Sequence, residues 1–64
     1  MKEVVALNAK MLLDKIVEKG LSVGDTFAIC ERVYDPENIT IGDALWIKNV
    51  LSLSDNEAIE IFLS

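Results

Sequence analysis

The sequence predicts an all-α fold of four short helices, with residues 1–64 forming a single helical domain. Apolar residues recur at helical spacing in three stretches of the chain. A hydroxyl residue is followed by a carboxylate three positions later at three places, which is the spacing of a helical capping box. A chain of 64 residues has room for one hydrophobic core only.

The first helix is predicted between Asn8 and Gly20. Asparagine is a favoured N-cap, and glycine directly after a lysine is a typical helix stop. The apolar positions of this helix are Ala9, Leu12, Leu13, Ile16 and Val17. Lysines and carboxylates occupy the other side, so the helix is amphipathic and should pack through one face.

Three further helix starts follow from the capping pattern. The pairs are Ser22 with Asp25, Thr40 with Asp43, and Ser54 with Glu57. Glutamate is the standard residue three positions after the N-cap in a capping box, so the helix start at Ser54 has the strongest signal. Aspartate at that position still favours the positive end of the helix dipole.

Residues 26–34 allow two interpretations. As a helix, Phe27, Cys30 and Tyr34 share one face, and the helix ends before Pro36. As a strand, the same segment has high β-propensity and would need a partner, most simply its own copy across a two-fold axis. We favour the helix; the alternative is an α+β fold with residues 26–34 as a strand paired across a dimer.

The last two helices have apolar stripes wider than one packed face requires. In a chain that is 52% hydrophobic, this excess predicts a second contact surface and a homodimer. The residues expected to be partly buried in that dimer are Trp46, Val50, Ile61 and Phe62. Tryptophan is a frequent interface anchor, although Trp46 is equally suited to cover the core of the single chain.

The charge distribution opposes strong, independent DNA binding. Residues 1–20 carry four lysines against three carboxylates, a net charge of +1. Residues 21–64 carry only Arg32 and Lys48 against eight carboxylates, a net charge of −6. Proteins that hold DNA through counterion release normally present a basic face, which most of this chain lacks.

The composition argues against an enzyme, a metal site and any cofactor. Cys30 is the only cysteine and there is no histidine, so neither a Cys–His catalytic pair nor a zinc ligand set can form. No apolar run is long enough to cross a membrane, and nothing indicates a small-molecule substrate. A single cysteine suits a reducing compartment, so we expect a cytoplasmic protein.

Two blocks of the sequence resemble small Cro/repressor-type helix-turn-helix proteins of temperate phages. The first block is LNAK at residues 7–10 with IVEKGLSVGD at 16–25. The second is ITIGDA at residues 39–44 with VLSLSDNEAIEIF at 50–62. The resemblance covers about two-thirds of the chain and implies a lambda-repressor-like helical fold and a role in transcription regulation.

The chain departs from this family between the two blocks. Family members have a second helix, a tight turn and a recognition helix there, whereas only residues 26–38 are available here. The resemblance therefore implies a remnant of the fold and a dimeric regulator with weak or lost direct DNA binding. If DNA binding is retained, Thr26, Arg32 and Lys48 are the expected contacts. The alternative is a protein-protein interaction module that pairs with itself or with an intact related regulator.

Overall fold

The computed structural model describes residues 6–63, which form four α-helices. Helix α1 spans Ala9–Glu18, α2 Val23–Arg32, α3 Ile41–Val50 and α4 Asp55–Phe62. A 3₁₀ turn, Pro36–Asn38, lies between α2 and α3. The all-α prediction is confirmed.

The alternative of a strand at residues 26–34 is wrong. Helix α2 runs through most of this segment, from its N-cap Ser22 to its last residue Arg32. The β-propensity of the segment is outweighed because the helix caps its first turn and buries Ile29 completely.

All four predicted N-caps are present. The Oδ1 atom of Asn8 accepts a hydrogen bond from the backbone N–H of Met11, and Ser22 accepts one in the same way from Asp25. At Thr40 and Ser54 the box is reciprocal, because the third-position carboxylate also accepts the N–H of the cap residue. These bonds satisfy backbone donors that a helix start otherwise leaves without partners.

Helices α1 and α3 end in the same way, although only one of the two ends was predicted. Gly20 and Ser52 both adopt left-handed backbone, with φ of 62° and 52°. Leu21 and Leu53 then donate their N–H groups back to the carbonyls of Ile16 and Lys48, at 3.2 and 2.9 Å. This is the Schellman arrangement, which glycine adopts readily and serine adopts at a conformational cost.

The hydrophobic core of the described residues is one cluster. Its buried members are Leu12, Ile16, Ile29, Ile39, Ile47, Leu51, Leu53, Ile61 and Phe62. The helices meet in the spatial order α2, α3, α4, α1, so the first helix packs on the last. Ala6 also pairs with Leu63 in a single parallel β-bridge, and the N–H of Asn8 donates to the carbonyl of Ile61 at 2.6 Å.

Between α1 and α3 the described chain has one α-helix only. After α2, residues 33–40 form the 3₁₀ turn and then a connection that buries Ile39 completely. This connection is longer than the three or four residues that join the two helices of a helix-turn-helix unit. A helix pair therefore does not occupy the place where the phage family has one.

Candidate protein-interaction surfaces

Arg32, one of the three predicted DNA contacts, is held against α3. Its Nη1 atom lies 3.0 Å from Oδ1 of Asp43. Its guanidinium carbon lies 4.3 Å from the centroid of the Trp46 ring, within the range of a cation–π contact. Arg32 therefore links the end of α2 to the start of α3 instead of projecting freely into solvent.

Lys48 is similarly engaged, with its Nζ atom 2.7 Å from Oδ1 of Asp55 at the start of α4. Asp43 and Lys48 are five positions apart on α3, which separates them by about 140° around the helix. The structure therefore places Arg32 and Lys48 on different sides of α3. Thr26, the remaining predicted contact, is half-buried on α2 among apolar neighbours.

The lysines of α1 meet the first turn of α4. Lys15 Nζ lies 2.7 Å from Glu57 and 3.2 Å from Glu18, and Lys19 Nζ lies 3.9 Å from Glu57. Glu57 also accepts the backbone N–H of Ser54 at 2.9 Å. One carboxylate thus completes a helix cap and joins the first and last helices.

The pKa values of Lys15 and of the carboxylates in these ion pairs (Asp43, Asp55 and Glu57) are shifted in the direction that favours the charged forms. The hydrogen bond from Lys15, with a smaller effect of the Ser54 N–H, lowers the pKa of Glu57 to about 2. The pKa of Lys15 is raised by its bonds to Glu57 and then Glu18. The Thr40 N–H lowers the pKa of Asp43, and Lys48 lowers that of Asp55. The four groups stay ionised and paired around neutral pH.

The predicted interface residues divide into two classes. Ile61 and Phe62 are buried in the core of the single chain, 0% and 3% exposed, so they offer almost no surface to a partner. Trp46 and Val50 are half-buried and pack against the core from outside. The wide stripe on α4 combines a core face with an exposed face, and the exposed residues are Ile59 and Leu63.

The first exposed apolar surface is a groove between α3 and α4 with a volume of about 250 Å³. Its lining is apolar except for Lys48 at one end. The other lining residues are Ile41, Ala44, Leu45, Ala58, Ile59, Phe62 and Leu63. A concave apolar groove of this kind is suited to accept side chains from a convex element.

The second exposed apolar surface is the outer face of α2. Val23, Phe27 and Tyr34 are exposed and lie on one side of the helix, with Cys30 between the two aromatic residues. The sequence had placed Phe27, Cys30 and Tyr34 on a common face, but it did not show that this face points away from the core. Ile29, on the opposite side, is the α2 residue that is buried.

In the described part of the chain, no group of three His, Cys, Asp or Glu side chains is arranged to hold a metal ion. None of the four helices is long and apolar enough to cross a membrane. Comparisons with protein-family models, with curated proteins and with solved structures found no match to this chain. The resemblance to phage repressors therefore stays a prediction.

Proposed function

We propose that this chain is a cytoplasmic regulator of the phage Cro/repressor type that acts through protein–protein association. It pairs with itself or with an intact relative, and it contacts DNA weakly or not at all. The observation that carries this proposal is the state of the basic side chains. In residues 6–63, four of the five lysines and arginines lie in ion pairs with carboxylates, and the fifth is Lys10.

These ion pairs oppose DNA binding mainly because their carboxylates repel a DNA phosphate. The free energy of the pairing itself is the smaller effect. An exposed ion pair contributes only about 0–1 kcal/mol, so a phosphate could compete for the cation. A phosphate that approaches Lys48 or Arg32, however, also approaches Asp55 or Asp43 within a few ångströms. The net charge of −5 adds repulsion at longer range.

The exposed apolar side chains support the second half of the proposal. The α3–α4 groove and the outer face of α2 expose several large hydrophobic residues on a chain of 64 residues. Contiguous apolar patches on a small protein typically mark interaction sites.

The dependence on salt distinguishes the two modes of action. Association with a second acidic chain should strengthen as salt is raised, because screening reduces the repulsion between like charges. Binding to duplex DNA should weaken as salt is raised. The logarithm of the binding constant should fall against the logarithm of the salt concentration with a slope of about −0.9 for each phosphate contacted. Sedimentation equilibrium measures the association constant between chains, and a duplex titration measures the affinity for DNA. Both are done at low and high salt on one preparation.

We expect self-association that strengthens with salt, and binding to mixed duplex DNA weaker than micromolar at physiological salt. Nanomolar, sequence-selective binding to DNA by the isolated chain, with no association between chains, would contradict the proposal. Titration with a random duplex mixture measures the non-specific affinity without an operator, and sequencing the duplexes that the chain retains from that mixture measures selectivity.

A further inference from the structure

The outer face of α2 has the surface of a helix that packs against another helix. Val23, Phe27 and Tyr34 are 87%, 65% and 88% exposed, and they follow one another along a single side of α2. Val23 and Phe27 are four positions apart and share one side of the helix, and Tyr34 lines the same depression as Phe27 just beyond the helix end. The stripe continues past the end of the helix, since α2 ends at Arg32, Val33 is its C-cap and Tyr34 follows the cap.

Two shallow depressions lie along this stripe; one has four α2 residues in its lining, and the other has three α2 residues together with Tyr34. One involves Val23, Thr26, Phe27 and Cys30, with Leu21 beside them. The other is lined by Phe27, Cys30, Glu31 and Tyr34. The first set has the spacing i, i+3, i+4 and i+7 within the helix, which is the set of four residues that forms a hole for a side chain of a facing helix. The second set has the same spacing, and Tyr34 completes it from just beyond the end of α2.

We propose that α2 is the surface through which two copies of this chain pair, with their α2 helices antiparallel across a two-fold axis. Phe27 of each copy enters the depression formed by Phe27, Cys30, Glu31 and Tyr34 of the partner subunit. Tyr34 then lies over Val23 of the partner subunit. This inference rests on the proposed function, because it assigns a surface to the self-association proposed above.

The antiparallel arrangement suits the charges along α2. It places Glu31 opposite Thr26 of the partner subunit. The two Glu31 carboxylates are then offset by about 7.5 Å along the helix axis, at 1.5 Å per residue. A parallel arrangement would set each Glu31 beside its own copy and would bring the like ends of the helix dipoles together.

A second copy fits this surface better than it fits the α3–α4 groove. Two concave grooves that face each other enclose empty space, whereas two exposed helix faces interdigitate. Aromatic side chains carry about 200 Å² each, so Phe27 and Tyr34 present about 300 Å² per copy. With Val23 and the flanking residues, two copies would bury roughly 1,000 Å², the lower limit for a specific interface, so the dimer should be weak.

The test compares three substitutions that each introduce one glutamate at an exposed apolar residue. Phe27→Glu alters the α2 face, Leu45→Glu alters the groove, and Val17→Glu alters an 80% exposed site on α1 as a control. Each variant is first checked for its helical circular dichroism and its thermal midpoint. Sedimentation equilibrium then gives the association constant of each variant. Cross-linking with a short bis-maleimide reports on the α2 face directly, because Cys30 is the only cysteine.

We expect Phe27→Glu to lower the association constant at least tenfold and to abolish the Cys30 cross-link, since a central aromatic anchor is lost. Val17→Glu and Leu45→Glu should leave the association constant and the Cys30 cross-link unchanged. If Leu45→Glu abolishes association and Phe27→Glu does not, the α2 assignment is wrong and self-association remains. If the wild-type chain stays monomeric, this inference fails, and the proposed function fails with it only when the same sample binds duplex DNA tightly.

Discussion

Replacing Ser54 by alanine tests the start of the last helix. The Ser54 hydroxyl accepts the backbone N–H of Glu57 at 3.2 Å, and alanine removes this acceptor. Loss of a serine N-cap costs about 0.5–2 kcal/mol of stability. We expect about 1 kcal/mol here, because Ser54 is exposed and water can partly replace the hydroxyl. The return bond from the Ser54 N–H to the Glu57 carboxylate does not depend on the hydroxyl and should persist.

This free energy corresponds to a clear change in the thermal midpoint. An unfolding entropy of about 2.1 cal/mol/K per residue gives roughly 130 cal/mol/K for the 64 residues. A loss of about 1 kcal/mol should therefore lower the midpoint by about 7–8 °C. Thermal unfolding followed by far-ultraviolet circular dichroism, at a fixed protein concentration, measures this shift.

Two matched variants separate capping from other effects. Ser54→Thr keeps a hydroxyl at the cap and should recover most of the lost stability. Asn56→Ala changes an exposed residue of the same helix that is not its N-cap, and it should leave the midpoint nearly unchanged. An unchanged midpoint in Ser54→Ala, or no recovery in Ser54→Thr, would show that Ser54 does not cap α4.

Three further predictions concern DNA, acid and the end of α3. Arg32→Ala should leave the weak affinity for mixed duplex DNA unchanged within the error of a titration, because Arg32 is paired within the chain; a large loss of affinity would make Arg32 a DNA contact. The pKa of Glu57 is lowered from 4.5 to about 2, so its stabilising effect is fully present above pH 4.5 and is lost as the pH falls towards 2. The difference in thermal midpoint between the wild-type chain and Glu57→Gln should therefore shrink over that range, and a constant difference would contradict the ion pair with Lys15. The left-handed conformation costs a residue with a Cβ about 1–2 kcal/mol, and the greater freedom of glycine in the unfolded chain offsets part of this, so Ser52→Gly should stabilise the chain by up to about 1 kcal/mol. Gly20→Ala should destabilise the chain, and chemical denaturation measures both changes.

The helix starts could be predicted because capping is a local property. Asn8, Ser22, Thr40 and Ser54 each bond to a backbone N–H three residues away, so the signal lies within one turn of sequence. Ser52 was not predicted, since nothing about a serine indicates left-handed backbone. The end of α3 is fixed instead by the packing of Leu51 and Leu53 on either side of it.

The candidate surfaces were harder to predict because they depend on contacts between distant segments. Arg32 and Asp43 are eleven residues apart, and Lys15 and Glu57 lie on the first and last helices. No sequence spacing indicates that these charges meet. Likewise, the apolar stripe of α4 did not show that Ile61 faces the core and Ile59 faces solvent, because that depends on where α1 and α3 lie.

The packing of α1 on α4 has a consequence for synthesis on the ribosome. Of the four helices, α1 is synthesised first, and its main neighbour in the fold, α4, is synthesised last. Leu12 and Ile16 therefore stay without their native cover until α4 has left the exit tunnel, and the domain completes its folding after translation of α4. During that interval the nascent chain exposes apolar residues that a chaperone would recognise. A circular permutant that begins at α2 and places α1 directly after α4 would bring these two helices out in succession.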